Sequence, residues 1–176
     1  AGVWHLGDTL KDATSNNLDG FNKPDKPTTN TSGMIGDGQE FGANKILVIR
    51  PPGVGPDRRV TCMPSGNADR TISAWVKPTS FEGLNWAQAS IGGWGEPERG
   101  QKPGMGLSYM TLTGRGQPRF HLYGFDPRCA SSLPRDEWRH IALSVSGDMV
   151  RFYVDGIQDR TINNNGEAVK RLGTLK

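Results

Sequence analysis

Two sets of side chains in this sequence have the types and the spacing for chemistry. Asp12, Asn16, Asn17 and Asp19 fall within one short polar loop. Carboxylates and amides are the donors a hard cation takes, about six to eight oxygens at a time. On that reading Asp12, Asn17 and Asp19 are calcium ligands. The same residues also suit an Asx-rich turn that caps itself by side-chain-to-backbone hydrogen bonds. Two carboxylates are few for calcium and no EF-hand spacing is present, so the turn is favoured.

The second set is aromatic. Sugars are held by aromatic faces, which stack on the apolar faces of pyranose rings, beside hydrogen-bonding side chains. Trp86 and Trp94 lie near loop ends, with Asn85, Gln88, Arg99 and Gln101 close by, and Tyr109 and Tyr123 fall where they line the open face of a sheet. The expected ligand-binding set is therefore Trp86, Trp94, Arg99, Tyr109 and Tyr123. The competing reading makes Trp86 and Trp94 plugs at the ends of a core. Trp4, Trp75, Trp138 and Phe152 are assigned to packing.

Other chemistries find little support. Glycoside hydrolysis needs two carboxylates across a sugar. Glu96 and Glu98 have strand spacing, but they flank Pro97 inside the breaker-rich stretch from Gly92 to Gly104 and read as a solvated loop. His5, His121 and His140 sit among apolar residues and read as partly buried structural histidines. No G-x-S-x-G, Walker A or Cys-x-x-Cys motif occurs. Cys62 and Cys129, 129 − 62 = 67 positions apart, fit no zinc motif. Both stand in Pro-rich, turn-like contexts. They are either two unrelated buried thiols or one disulfide, which would stabilise by about 2–4 kcal/mol and imply an oxidising compartment.

The elements that must position these groups are strands. The chain has 176 residues, with 24 Gly and 12 Pro, which suits many short strands joined by turns, and helical periodicity is missing. Ile141, Leu143 and Val145 alternate with Ala142 and Ser144, and Val150, Phe152 and Val154 with Arg151 and Tyr153. Gly147-Asp148 and Asp155-Gly156 supply hairpin turns. Further strands are expected at Gly2 to Leu6, Gln39 to Phe41, Lys45 to Ile49, Arg70 to Lys77, Ala87 to Gly92, Met105 to Leu112 and Arg119 to Tyr123. Residues 22–33 read as an irregular surface segment. The fold class is all-β, a two-sheet antiparallel jelly-roll sandwich in a single domain over 1–176. The net charge is +3, with no basic run, which argues against nucleic acid as a partner. The longest purely aliphatic run, Ile46 to Ile49, is too short to cross a bilayer. The N-terminal Ala1-Gly2-Val3-Trp4-His5-Leu6 is read as a start inside a larger precursor or as a designed N-terminus.

Several segments carry a resemblance. Trp138-Arg139-His140-Ile141-Ala142 followed by Tyr153-Val154-Asp155-Gly156 resembles a W-x-H-x-A…Y-V-D-G signature. Thr71 to Pro78 reads T-I-S-A-W-V-K-P. Gly33 to Phe41 is similar to G-K-x-G-x-A-L-x-F, and Asp12 to Gly20 to D-x-S-G-N-x-x-D-G. In this order they resemble the laminin-G-like, concanavalin A-like lectin and glucanase jelly rolls, in the form found in bacterial envelope proteins, over residues 2–162. His140 is usually structural in that family. The E-x-D-x-E pattern of its glucanases is absent. The carboxylates that usually follow Phe41 and the closing G-x-I-D-E-V-R-I strand are also absent. The second departure implies a fragment with an exposed edge, open to strand pairing or dimerisation.

The resemblance implies a non-catalytic module that recognises a glycan or polysaccharide, with calcium as its candidate cofactor, at an extracellular, periplasmic or cell-surface location. A protein–protein adhesion or assembly module is the alternative. A glycoside hydrolase or lyase is the least supported reading.

Overall fold

The computed structural model describes residues 2–42, 45, 47–50, 63–64, 68–81, 89–94, 108–121, 126–147 and 149–163. These residues form eleven strands and no helix, as the turn-rich composition predicts. No helix among them is long and apolar enough to cross a membrane. The chain divides into two compact units, Ala1–Met63 and Pro64–Lys176.

In the first unit, β1 (Gly20–Asn22) pairs antiparallel with β4 (Leu47–Ile49), and β2 (Thr29–Ser32) with β3 (Asp37–Glu40). The strand expected over Gly2 to Leu6 is reduced to a single bridge between Trp4 and Asp12. Its place is held by side chains instead: Trp4 Nε1 donates to the Leu18 carbonyl at 2.5 Å, and Leu18 is fully buried. The segment read as irregular contains β2. Thr29, Asn30, Thr31 and Ser32 are all exposed, so no apolar alternation marks that strand.

The second unit is a sandwich. One sheet has the order β11–β10–β9–β5, from β5 (Arg70–Val76), β9 (Arg139–Ser146), β10 (Met149–Val154) and β11 (Ile157–Asn163). The other has the order β6–β7–β8, from β6 (Ala89–Trp94), β7 (Ser108–Leu112) and β8 (Pro118–His121). Every pairing is antiparallel.

Both sheets contribute to one core. Ile141, Leu143, Val145, Val150 and Phe152 come from the four-stranded sheet, and Met110, Leu112 and Phe120 from the three-stranded one. Cys129 and Leu133, on the connection from β8 to β9, complete it. Side chains alternate across a strand, so burying 141, 143 and 145 turns 140, 142, 144 and 146 outward.

Two tight turns order the meander β9–β10–β11. Ser146 pairs with Met149 across Gly147, whose φ is 52°. Val154 pairs with Ile157 across Asp155 and Gly156, with φ of 50° and 80°. Positive φ at both central residues is the type I′ geometry that matches strand twist.

Candidate functional site

The outer face of the four-stranded sheet carries a candidate set of side chains. The register sets them in rows. Trp75 on β5 stands opposite His140 on β9. The next row is Ser73, Ala142, Tyr153 and Gln158, and the one after it Thr71, Ser144, Arg151 and Thr161. Trp75 is 42 % exposed, while its neighbours Ala74 and Val76 pack against the core. The rings of Trp75 and His140 lie 5.3 Å apart between centroids and are inclined by 59°.

This face has a floor of small side chains, Ser73, Ala142 and Ser144, with Trp75 and His140 at one end and half-buried Tyr153 and Arg151 along one side. Trp75 and Tyr153 are two strand spacings across and one row along from each other, roughly 12 Å, a span of two to three linked sugar rings. Of the core or sheet packing expected for Trp75, the structure shows the second: the ring lies outside the core and packs on His140 across the sheet. The signal was available: Trp75 is in phase with Thr71 and Ser73, and out of phase with Ile72, Ala74 and Val76.

The carboxylates at the rim of this face are already engaged. Asp155 accepts from Arg139 at 2.8 Å and from the His140 N–H at 2.9 Å, and Arg139 also pairs with Glu137 at 2.7 Å. The Arg139 guanidinium and the His140 N–H hold the Asp155 carboxyl below its ordinary value. Asp69 accepts from Ser146 Oγ at 2.8 Å and from the Gly147 N–H at 3.3 Å. Among the described residues, the rows of this face carry no pair of facing carboxylates of the kind that glycoside hydrolysis needs.

The polar loop of the first unit is built around Asp12, which is 8 % exposed. Its Oδ1 accepts from the N–H groups of Val3 at 2.9 Å and Thr14 at 3.0 Å. Its Oδ2 accepts from Thr14 Oγ1 at 2.8 Å and the Leu18 N–H at 3.1 Å. A carboxylate offers about four lone-pair positions, and all are taken. Burial pushes this carboxyl up, but the Val3, Thr14 and Leu18 donors outweigh it and hold it at about 2. Asp19 is committed as well, accepting from the Asp12 N–H at 3.1 Å. Asn17 takes a φ of 51° in the turn and its amide donates to the Ser15 carbonyl at 3.3 Å. This is the self-capping turn, and among the described residues no group of three or more His, Cys, Asp or Glu is placed to hold a metal ion.

Trp94 is half-buried in β6 and donates from Nε1 to the Pro64 carbonyl at 2.7 Å. Tyr109 lies in β7, opposite Gly93 and His121. Trp86, Arg99, Tyr123 and Cys62 lie outside the described residues. Cys129 is a free, fully buried thiol.

Comparison with known proteins identifies the family. The concanavalin A-like lectin/glucanases superfamily matches residues 57–174. The chain belongs to that superfamily. A comparison with the curated proteins found no match. Among solved structures, the chain is similar to domain 4 of AbnA, a GH43 extracellular arabinanase from Geobacillus stearothermophilus, determined in complex with arabinotriose. The TM-score is 0.60 at 20 % identity, covering 89 % of this chain and 71 % of that one. A weaker similarity, TM-score 0.45 at 17 % identity, joins it to residues 221–444 of an S-layer domain-containing protein from Clostridium thermocellum, covering 93 % of this chain and 69 % of that one. The superfamily assignment agrees with the sandwich of the second unit.

Proposed function

We propose that the chain is a non-catalytic carbohydrate-recognition module of a secreted or cell-surface protein, and that it holds a glycan along the outer face of the four-stranded sheet. The observation that carries this reading is Trp75: a large aromatic side chain 42 % exposed on a sheet face otherwise built from small and polar residues. Leaving that ring in water forgoes about 1.5–3 kcal/mol of burial, which a stacked sugar recovers. The complex of the related arabinanase domain with arabinotriose supports a saccharide as the class of ligand. The saturated lone pairs of Asp12 support binding without calcium.

The test is affinity electrophoresis of the whole chain through gels containing neutral and acidic polysaccharides, with calcium and then with chelator. Retardation that W75A abolishes while the variant still folds is the expected result. No retardation by any polysaccharide would remove the reading.

One observation favours a second reading, a protein-contact role. At the tip of the β2–β3 hairpin, Met34 and Ile35 are 50 % and 78 % exposed, an apolar pair next to a fully exposed strand. A double substitution M34S/I35S that lowers self-association in sedimentation would support that role and leave glycan retardation unchanged.

A further inference from the structure

Arg151 differs from the other arginines of the four-stranded sheet. Arg139 is held by Glu137 and Asp155, Arg160 donates to the Arg128 carbonyl, and Arg70 donates to the Ala68 carbonyl. Arg151 has no hydrogen bond or ion pair among the described residues. It sits in the interior of the sheet, half-buried, and its cross-strand neighbours are the hydroxyl residues Ser144 and Thr161. The carboxylates at the rim, Asp69 and Asp155, are spoken for by Ser146, Gly147, Arg139 and His140. The outer face thus presents one uncommitted guanidinium on a neutral floor.

A guanidinium partly withdrawn from water is weakly screened, and its planar fork matches a carboxylate in a two-point pair. Tyr153 follows it on the same face two residues on, roughly 7 Å along the strand. A sugar ring stacked on Tyr153 with an exocyclic carboxylate bridges that distance, and the hydroxyls of Ser144 and Thr161 flank the charge. We infer that the face selects an acidic saccharide, with Arg151 pairing the carboxylate of a hexuronate whose ring lies on Tyr153. This rests on the reading of the outer face as a glycan platform. The guanidinium fork also pairs with the oxygens of a sulfate or phosphate ester, and a dextran sulfate arm separates the two.

The experiment uses polygalacturonate, alginate and heparosan, each beside its carboxyl-reduced form, with dextran sulfate as a further arm, against the wild-type chain, R151Q, R151K and W75A. The expected result is at least one polyuronate bound about tenfold tighter than its reduced form, one charge-assisted pair being of that order. R151Q removes the difference, R151K keeps part of it, and added salt narrows it. Equal binding of a polyuronate and its reduced form, both lost in W75A, overturns the role of Arg151 and leaves the platform standing. Tighter binding of dextran sulfate than of every polyuronate overturns the carboxylate assignment. No binding of any glycan by the wild-type chain overturns the platform and this inference together. Equal melting temperatures for R151Q and the wild type keep a folding defect out of the comparison.

Discussion

Trp75 and His140 face each other directly across β5 and β9, on the side of the sheet turned away from the core, with ring centroids 5.3 Å apart. A tilted contact of this kind orients the indole without covering it, and the ring stays 42 % exposed. Replacing Trp75 by Ala therefore removes little of the core. The expected loss of stability is about 1–3 kcal/mol, from the covered half of the ring and its one aromatic contact, measured by urea unfolding. Glycan affinity of the folded variant falls at least about tenfold. Unchanged glycan affinity in folded W75A would make Trp75 a structural residue.

The Asp12 loop predicts a pH dependence and an insensitivity. The folded carboxyl sits at about 2, below its ordinary 3.8. The unfolded chain therefore takes up the proton first as the pH falls, and stability supplied by Asp12 is present above about pH 4 and lost as the pH drops toward 2. D12N should flatten that part of the wild-type profile. D12A leaves the N–H groups of Val3, Thr14 and Leu18 without their acceptor and should cost about 2 kcal/mol. Chelator should leave the melting temperature unchanged, since the four acceptor positions are already filled. A calcium-dependent rise in melting temperature that D12N abolishes would restore the metal reading.

The Asp155-Gly156 turn explains why a Y-V-D-G signature pairs with W-x-H. Asp155 caps the His140 N–H, its own N–H donates to the His140 carbonyl at 2.8 Å, and its carboxylate binds Arg139. One residue thus ties the β10–β11 turn to the end of β9 that carries His140. D155A should destabilise by about 1–2 kcal/mol, mostly through the lost cap, because an ion pair this exposed adds little. G156A, forced to a φ of 80°, should cost about 1 kcal/mol. Chemical denaturation of the two variants checks both values. No loss in D155A would mean that the turn geometry alone orders this end of the sheet.

The β9–β10 hairpin was legible because its chemistry is local. Ile141, Leu143 and Val145 against Ala142 and Ser144 show the period of a half-buried strand, and Asp155-Gly156 is a turn by its own φ requirement. Strand β2 left no trace because Thr29 to Ser32 are exposed on both faces. Strand β11 was hidden by the bulge opposite Phe152 and Tyr153, which inserts Asp159 and breaks the alternation. The role of Asp12 turned on partners at Val3 and Leu18, nine and six residues away, which composition of the loop cannot reveal. The exposure of Trp75 was legible in its phase, which it shares with Thr71 and Ser73 and not with Ile72, Ala74 and Val76.

Cys129 yields the last prediction. Its thiol is fully buried in the sandwich core and free. Burial first, and the nearby Asp159 charge second, push it up to about 12 from an ordinary 9.0. Asp159 stays there because it accepts from the N–H groups of Ala130 at 2.6 Å and Ser131 at 3.2 Å, which tie the segment carrying Cys129 to β11. The thiolate is the reactive form, so in the native chain Cys129 should resist a disulfide-forming thiol reagent and react only on unfolding. A group held protonated in the fold contributes stability that is complete below the unfolded value near 9 and is lost as the pH rises toward 12. The difference in unfolding midpoint between the wild type and C129A should therefore shrink steadily above about pH 9. Denaturant without reductant should expose two titratable thiols, Cys62 and Cys129. A count of zero would mean that the two form a disulfide in solution.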